Sequence, residues 1–271
     1  MLMRDVQIKN KEFIDLLDQL SANVDKIFAD TEFLNKEIQE HLKHRNPKVR
    51  EKEGKEPYKV APHFDITPDQ YRSVRKEGEY DPCGREYLDY MKELMRVDSN
   101  NTITSGFPCN EAFLNGQAIM HQRDNPAPEI RDLIYKISTG YLGGSSMALC
   151  ALYGPDTFIP WHHNGNAPGY NILLHYNKGG EGSFYTYDNG EIITYPDKKG
   201  WVCRAGEFID TAPADRRKLH TNKTSLPGKW SDNPEDSSWH SAHAVTNRFT
   251  LSTIVNHPDI WEDLIDEIED R

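Results

Sequence analysis

Phe13, Leu16, Leu17, Leu20, Val24, Ile27 and Phe28 recur at i, i+3, i+4 and i+7 spacings, which predicts one amphipathic helix with a single apolar stripe. The stretch "DTEFLNKEIQEHLK" offers an N-cap residue and predicts a second helix carrying Leu34, Ile38 and Leu42. Charge, Pro and Gly then break the period in "HRNPKVREKEGKEPYKVAPHFD", which reads as an exposed connection. Further helices are expected at "REYLDYMKELMR" and, after Pro128, at "EIRDLIYKIS".

From about Ser146 the period changes. "SMALCALYG", "GYNILLHYN", "GSFYTYD", "GEIITYP", "GWVCRAGEFID" and "RFTLSTIV" are short, rich in β-branched and aromatic residues, and bounded by Gly, Pro, Asn or Asp. That pattern predicts an antiparallel sandwich or barrel rather than alternating β and α units. Residues 211–238 are too long and polar for an ordinary turn, and such loops are lids or partly disordered segments. "DIWEDLIDEIEDR" predicts a closing amphipathic helix. The expected organisation is α+β: a mainly helical region 1–145 packed on an all-β core 146–256, with a C-terminal helix in 257–271.

Composition narrows the partners. With 271 residues the chain can bury a full core, as one large domain or as one domain with a helical annex. A net charge of -11 argues against an electrostatic grip on nucleic acid or an anionic membrane. No apolar run approaches the ~20 residues of a spanning helix. The opening "MLMRDVQIKNKEF" carries no apolar h-region, so a cytoplasmic protein is expected. Cys83, Cys109, Cys150 and Cys203 are scattered without a C-x-x-C pair and read as reduced thiols. Oligomeric state is left open.

Two polar clusters stand out in the β region. "FIPWHHNGN", residues 158–166, puts His162, His163 and Asn164 where a strand ends, and "WHSAHAVTNRFTLS" puts His240 and His243 ahead of the last strand. In a β-barrel, non-adjacent strands bring their ends to one mouth. Two histidines and one oxygen ligand there build the facial triad of a non-haem iron(II) site with open positions. Trp161 and Trp239, beside the clusters, suit either pocket lining or plain core packing. Arg216, Arg217 and Lys218 read as a solvated charge run.

At these residues the chain resembles the 2-oxoglutarate/iron(II)-dependent oxygenases, in their prolyl-hydroxylase-like branch. "YGPDTFIPWHHN" follows the family's Tyr, turn, apolar residue, Pro and H-x-D; "HAVTNRFTLSTIV" follows its H-x-V, turn and Arg. "LLHYNKGGEGSFYTY" resembles the strand and Gly-Gly step between them, so the resemblance covers about 146–256. It implies a double-stranded β-helix (jelly-roll) core with the helical part packed on it. It further implies His162 and His243 as metal ligands and Asn164 at the position of the usual carboxylate. Arg248 matches the cation that pairs with the far carboxylate of 2-oxoglutarate, and His175 falls near a residue that hydrogen-bonds the same group. Iron(II), 2-oxoglutarate and O₂ follow as cofactor and co-substrates. The implied reaction oxidatively decarboxylates 2-oxoglutarate to succinate and hydroxylates a small molecule, peptide, protein side chain or amino acid.

Three alternatives stay open. "HNG" also fits a site in which His163 or water supplies the third ligand, and His240 can replace its neighbour. The missing carboxylate is compatible with a halogenase-like variant, or with a jelly-roll binding protein without redox chemistry. A cupin-type metalloenzyme using His163 or His240 as well is the third.

Overall fold

Gly, Pro and Asn divide the second half of the chain into strands short enough to pair with their neighbours and long enough to cross a barrel. The computed structural model describes residues 3–30, 83–86, 88–89, 92, 117–119, 128–155, 157–162, 169–209, 237–255 and 258–271. In chain order the elements are β1 (Arg4–Val6), α1 (Lys11–Ala29), β2 (Gln117–Ile119), α2 (Pro128–Tyr135), a π-helical turn (Lys136–Tyr141) and β3 (Gly144–Tyr153). They continue with β4 (Thr157–His162), β5 (Gly169–Asn177), β6 (Gly182–Asp188), β7 (Glu191–Pro196) and β8 (Gly200–Phe208). β9 (His240–Ala244), β10 (Arg248–Val255), a 3₁₀ turn (Pro258–Ile260) and α3 (Trp261–Ile268) complete the series. The strands form two antiparallel sheets, ordered β1-β8-β5-β10-β3-β2 and β4-β9-β6-β7. With the helices they make an α+β fold.

Strand alternation assigns the faces. On the larger sheet Cys150, Leu152, Ile172, Leu174, Cys203, Ala205, Phe249 and Leu251 share a core with Phe13, Leu17, Leu20 and Val24 of α1 and Ile130 and Ile134 of α2. The opposite face meets the second sheet. Leu173 and Phe208 pack on Phe184 and Ala242, and Ala151 and Tyr153 pack on Ile159 and Ala244. Both faces are therefore covered, which is why β10 is buried throughout and β5 at every residue but Tyr170 and Tyr176.

The helical residues lie against the sheet rather than apart from it. Asn10 caps α1, its Oδ1 accepting from Phe13 N at 3.1 Å, and the predicted stripe is the buried face. Trp201 Nε1 donates to the Leu17 carbonyl at 3.0 Å, and the Tyr176 hydroxyl donates to Asp25 at 3.1 Å. The chain ends meet where Lys9 N and Asn10 N donate to the Ile268 carbonyl at 2.9 and 3.0 Å. Residues 85, 86, 88, 89 and 92 are helical, as expected of "REYLDYMKELMR", whereas the helix expected in "DTEFLNKEIQEHLK" lies outside the described residues. Cys83, Cys150 and Cys203 are buried, and burial pushes the Cys150 and Cys203 thiols up to about 12. No helix among the described residues is long and apolar enough to cross a membrane.

Two turns at one end of the sheets are locked together by Asn177. Its Oδ1 accepts from Gly179 N (3.1 Å), Gly180 N (2.7 Å) and the Thr246 hydroxyl (2.7 Å), while Nδ2 donates to the Glu181 carbonyl (3.0 Å). Asn177 is the register partner of Arg248, so this clamp fixes the start of β10. Asn177→Ala should lower stability by about 2–4 kcal/mol, because buried donors lose their acceptor. Urea unfolding measures it; a change below about 0.5 kcal/mol would show the turns hold without the clamp.

Candidate functional site

β4 ends at His162, and antiparallel pairing sets His162 opposite His240, the first residue of β9. Their ring centroids lie 4.1 Å apart at 58°. The His240 Nδ1 lies 2.7 Å from the Ser238 carbonyl oxygen, which can only accept, so Nδ1 carries the proton and Nε2 the lone pair of the neutral ring. Phe208 meets the His240 ring edge-on at 4.9 Å and Phe184 lies 5.9 Å away, so the imidazole is fixed among aromatics. Ser238 also ties the ends of segment 210–236: its N–H donates to the Ile209 carbonyl (2.9 Å) and its Oγ accepts from Ile209 N (2.7 Å).

His243 takes a different direction from the expected one. It stands three residues beyond His240, and β9 pairs with β6 without a break from Ala244 to His240, so its side chain leaves the face opposite that of His240. The imidazole that the register sets opposite His162 is thus His240. Asn164 and His163 lie outside the described residues.

A second cluster sits on the inner face of the larger sheet. Arg248 begins β10, is fully buried, and donates from Nη2 to His175 Nδ1 at 2.9 Å. Because guanidinium only donates, His175 Nδ1 is an acceptor and the ring proton sits on Nε2. The Thr250 hydroxyl lies 3.1 Å from the same Nδ1. Burial first, then the positive charges of Arg248 and Arg204, hold the His175 pKa well below 6.5. Among the described residues, His175 Nε2 and Arg248 Nη1 are buried donors without a hydrogen-bond partner. Such orphans are rare in native interiors and call for an acceptor. The structure thus brings two of the expected residues, Arg248 and His175, into direct contact.

Three neighbours escaped sequence analysis. Asp197 Oδ2 lies 3.3 Å from Arg248 Nε, and its Oδ1 lies 3.2 Å from Arg204 Nη1. Arg204 is completed by Asp5 (3.3 Å) and by donating to the carbonyls of Pro196 (2.7 Å) and Tyr195 (3.2 Å). The Tyr153 ring centroid is 5.4 Å from the Arg248 guanidinium carbon, and burial raises the Tyr153 hydroxyl pKa. The available signal was parity: in "GWVCRAGEF" Arg204 shares its face with Phe208, inside the barrel. Phe184 stands between the two clusters, its ring centroid 5.9 Å from both His175 and His240.

No family model matches the sequence, and no curated protein matches it. Among solved structures, the chain is similar to the crystal structure of an oxidoreductase of the 2OG-Fe(II) oxygenase family from Burkholderia pseudomallei. Identity is 10% and the TM-score 0.26, over 73% of this chain and 92% of that chain. A likeness of that size carries no argument about activity. The functional reading therefore rests on strand order and side chains.

His175 supplies a pH signature. Its folded pKa is lowered, so its contribution to stability is fully present above 6.5, the unfolded value, and is lost as pH falls from there toward the folded one. Between pH 6.5 and 5.5 the loss is at most about 1 kcal/mol. His175→Gln should flatten this acid limb in urea unfolding series, and an unchanged slope would show that His175 does not titrate there.

Proposed function

We propose that the chain is an iron(II)- and 2-oxoglutarate-dependent oxygenase built on a double-stranded β-helix. The fold reading is supported by strand order: β3 to β10 divide into β8-β5-β10-β3 and β4-β9-β6-β7, the alternation of a jelly roll. One observation carries the functional reading. The His162–His240 pair and the buried Arg248–His175 pair flank the same aromatic ring, Phe184, across the space between the sheets.

The side chains present suit the implied groups. Two imidazoles from different strand ends are a fitting nitrogen set for iron(II), and His240 is already oriented by the carbonyl on its Nδ1. Among the described residues no three His, Cys, Asp or Glu gather as a metal site, so the third ligand is assigned from sequence to Asn164. The unpartnered donors of Arg248 and His175 suit a carboxylate, which accepts from both.

When bound, iron(II) and 2-oxoglutarate supply the oxidising chemistry with O₂, and the protein supplies placement. Arg248 presents Nη1 and a fixed positive charge to the far carboxylate of the co-substrate. Neutral His175 adds the Nε2 proton as a second donor. Phe184 and Phe208 exclude water from around His240. Hydroxylation of a neutral or basic substrate, such as a peptide, a protein side chain or an amino acid, accords with the net charge of -11.

A binding protein of the same architecture is the second reading, favoured by the lack of a three-residue acidic or histidine cluster among the described residues. Succinate formation from 2-oxoglutarate, with iron(II) and in air, decides between them: production supports the oxygenase, and none under any iron or substrate condition supports the binding protein.

Two substitution series test the metal assignment. His162→Ala and His240→Ala should abolish stoichiometric iron(II) binding in calorimetry, while His243→Ala retains it. Loss in His243→Ala alone would reverse the choice of imidazole. Asn164→Asp adds a full charge where the amide offers a dipole, so it should tighten iron(II) binding by about tenfold or more. An unchanged affinity would remove Asn164 from the ligand set.

A further inference from the structure

Among the described residues, the space between the sheets holds two guanidinium groups and one carboxylate. Arg204, Arg248 and Asp197 are all buried, with side-chain exposures of 1%, 0% and 0%. Asp5, the other acid at Arg204, is 64% exposed and is screened by solvent. Among the described residues the buried cluster therefore carries one excess positive charge, and Arg cannot discharge it by losing a proton.

Asp197 does not treat its two partners alike. Toward Arg204 it makes an aligned hydrogen bond, Nη1 to Oδ1 at 3.2 Å. Toward Arg248 it offers Oδ2 at 3.3 Å from Nε, yet neither atom has a hydrogen-bond partner among the described residues, so that contact is charge without alignment. The directional hold on Arg248 comes instead from His175 Nδ1, at 2.9 Å. The Asp197 backbone is pinned separately, its N–H donating to the Gly182 carbonyl at 3.0 Å.

We infer that Asp197 is a resident counter-ion that competes with an incoming carboxylate for the charge of Arg248, and that Arg204 limits this competition by drawing Asp197 toward itself. The inference rests on the reading of Arg248 as the carboxylate partner of 2-oxoglutarate. Asp197 and Arg204 are then positioning residues: neither touches the ligand, and both set the potential it meets. Affinity should follow the buried charge. Asp197→Asn raises the excess to two and keeps the side-chain shape, Arg204→Met lowers it to zero, and the double variant restores one.

The test is calorimetric titration of 2-oxoglutarate into the iron(II)-loaded protein without oxygen. Relative to the parent, Asp197→Asn should bind about tenfold tighter or more, Arg204→Met about tenfold weaker or more, and the double variant within about threefold. A merely structural role would weaken all three, and that result, or three unchanged affinities, would overturn the inference. Should Asp197→Asn fail to fold, Arg204→Met and the double variant still decide: weakening in the first restored in the second supports the counter-ion, and no restoration refutes it. Arg248→Met separates the two levels. If it binds 2-oxoglutarate like the parent, the co-substrate reading of this site falls; if it loses binding while the charge series stays flat, only the counter-ion inference falls.

Discussion

A guanidinium group buried between two sheets is the constraint around which this fold is organised. Neither Arg204 nor Arg248 can shed its charge, so the surrounding chain must deliver acceptors to fixed points. Arg204 recruits Asp5 from β1, Asp197 from the β7–β8 connection, and two backbone carbonyls. Arg248 recruits His175 from β5 and the charge of Asp197. Breaking one partner of such a buried pair typically costs about 3–5 kcal/mol, comparable to a large part of a domain's net stability. The short edge strand β1 thus owes its place to more than its three paired residues: it brings an acid to an arginine on the neighbouring strand.

Much of the architecture was legible because its signals are local. Gly169 and Asn177 bound β5, Gly182 and Asp188 bound β6, and "RFTLSTIV" is β10 to the residue. The stripe on α1 was equally plain, since helical periodicity survives over its whole length. What was not legible depends on pairing between distant segments. β1 has three residues and no pattern of its own; only β8 makes it a strand. The odd spacing of His240 and His243 guarantees opposite faces, but which face looks inward is decided by β6 and by the irregular pairing of β4. Sequence alone therefore favoured His243 on its flanking residues, and the register favours His240. Asp197 was missed for the same reason, its partners being brought together only by the fold.

The described helices pack on the β region from both sides of the expected boundary near residue 145. α1, α2 and α3 contribute to the same core as the outer face of the larger sheet. That continuity explains the composition of the strands: with helices on one face and the second sheet on the other, β5 tolerates polar side chains only where they find partners, as His175 and Asn177 do. Helix packing and site formation are consequently two sides of one sheet, and a substitution at Leu174 or Phe249 acts one residue away from His175 or Arg248.

Ser238 gives the fold a modular joint. Among the described residues two hydrogen bonds join Ser238 to Ile209, and the Ser238 carbonyl orients His240 from the same residue. One serine thereby couples the residue that follows β8 to the ring that opens β9, so a substitution at Ser238 loosens both at once.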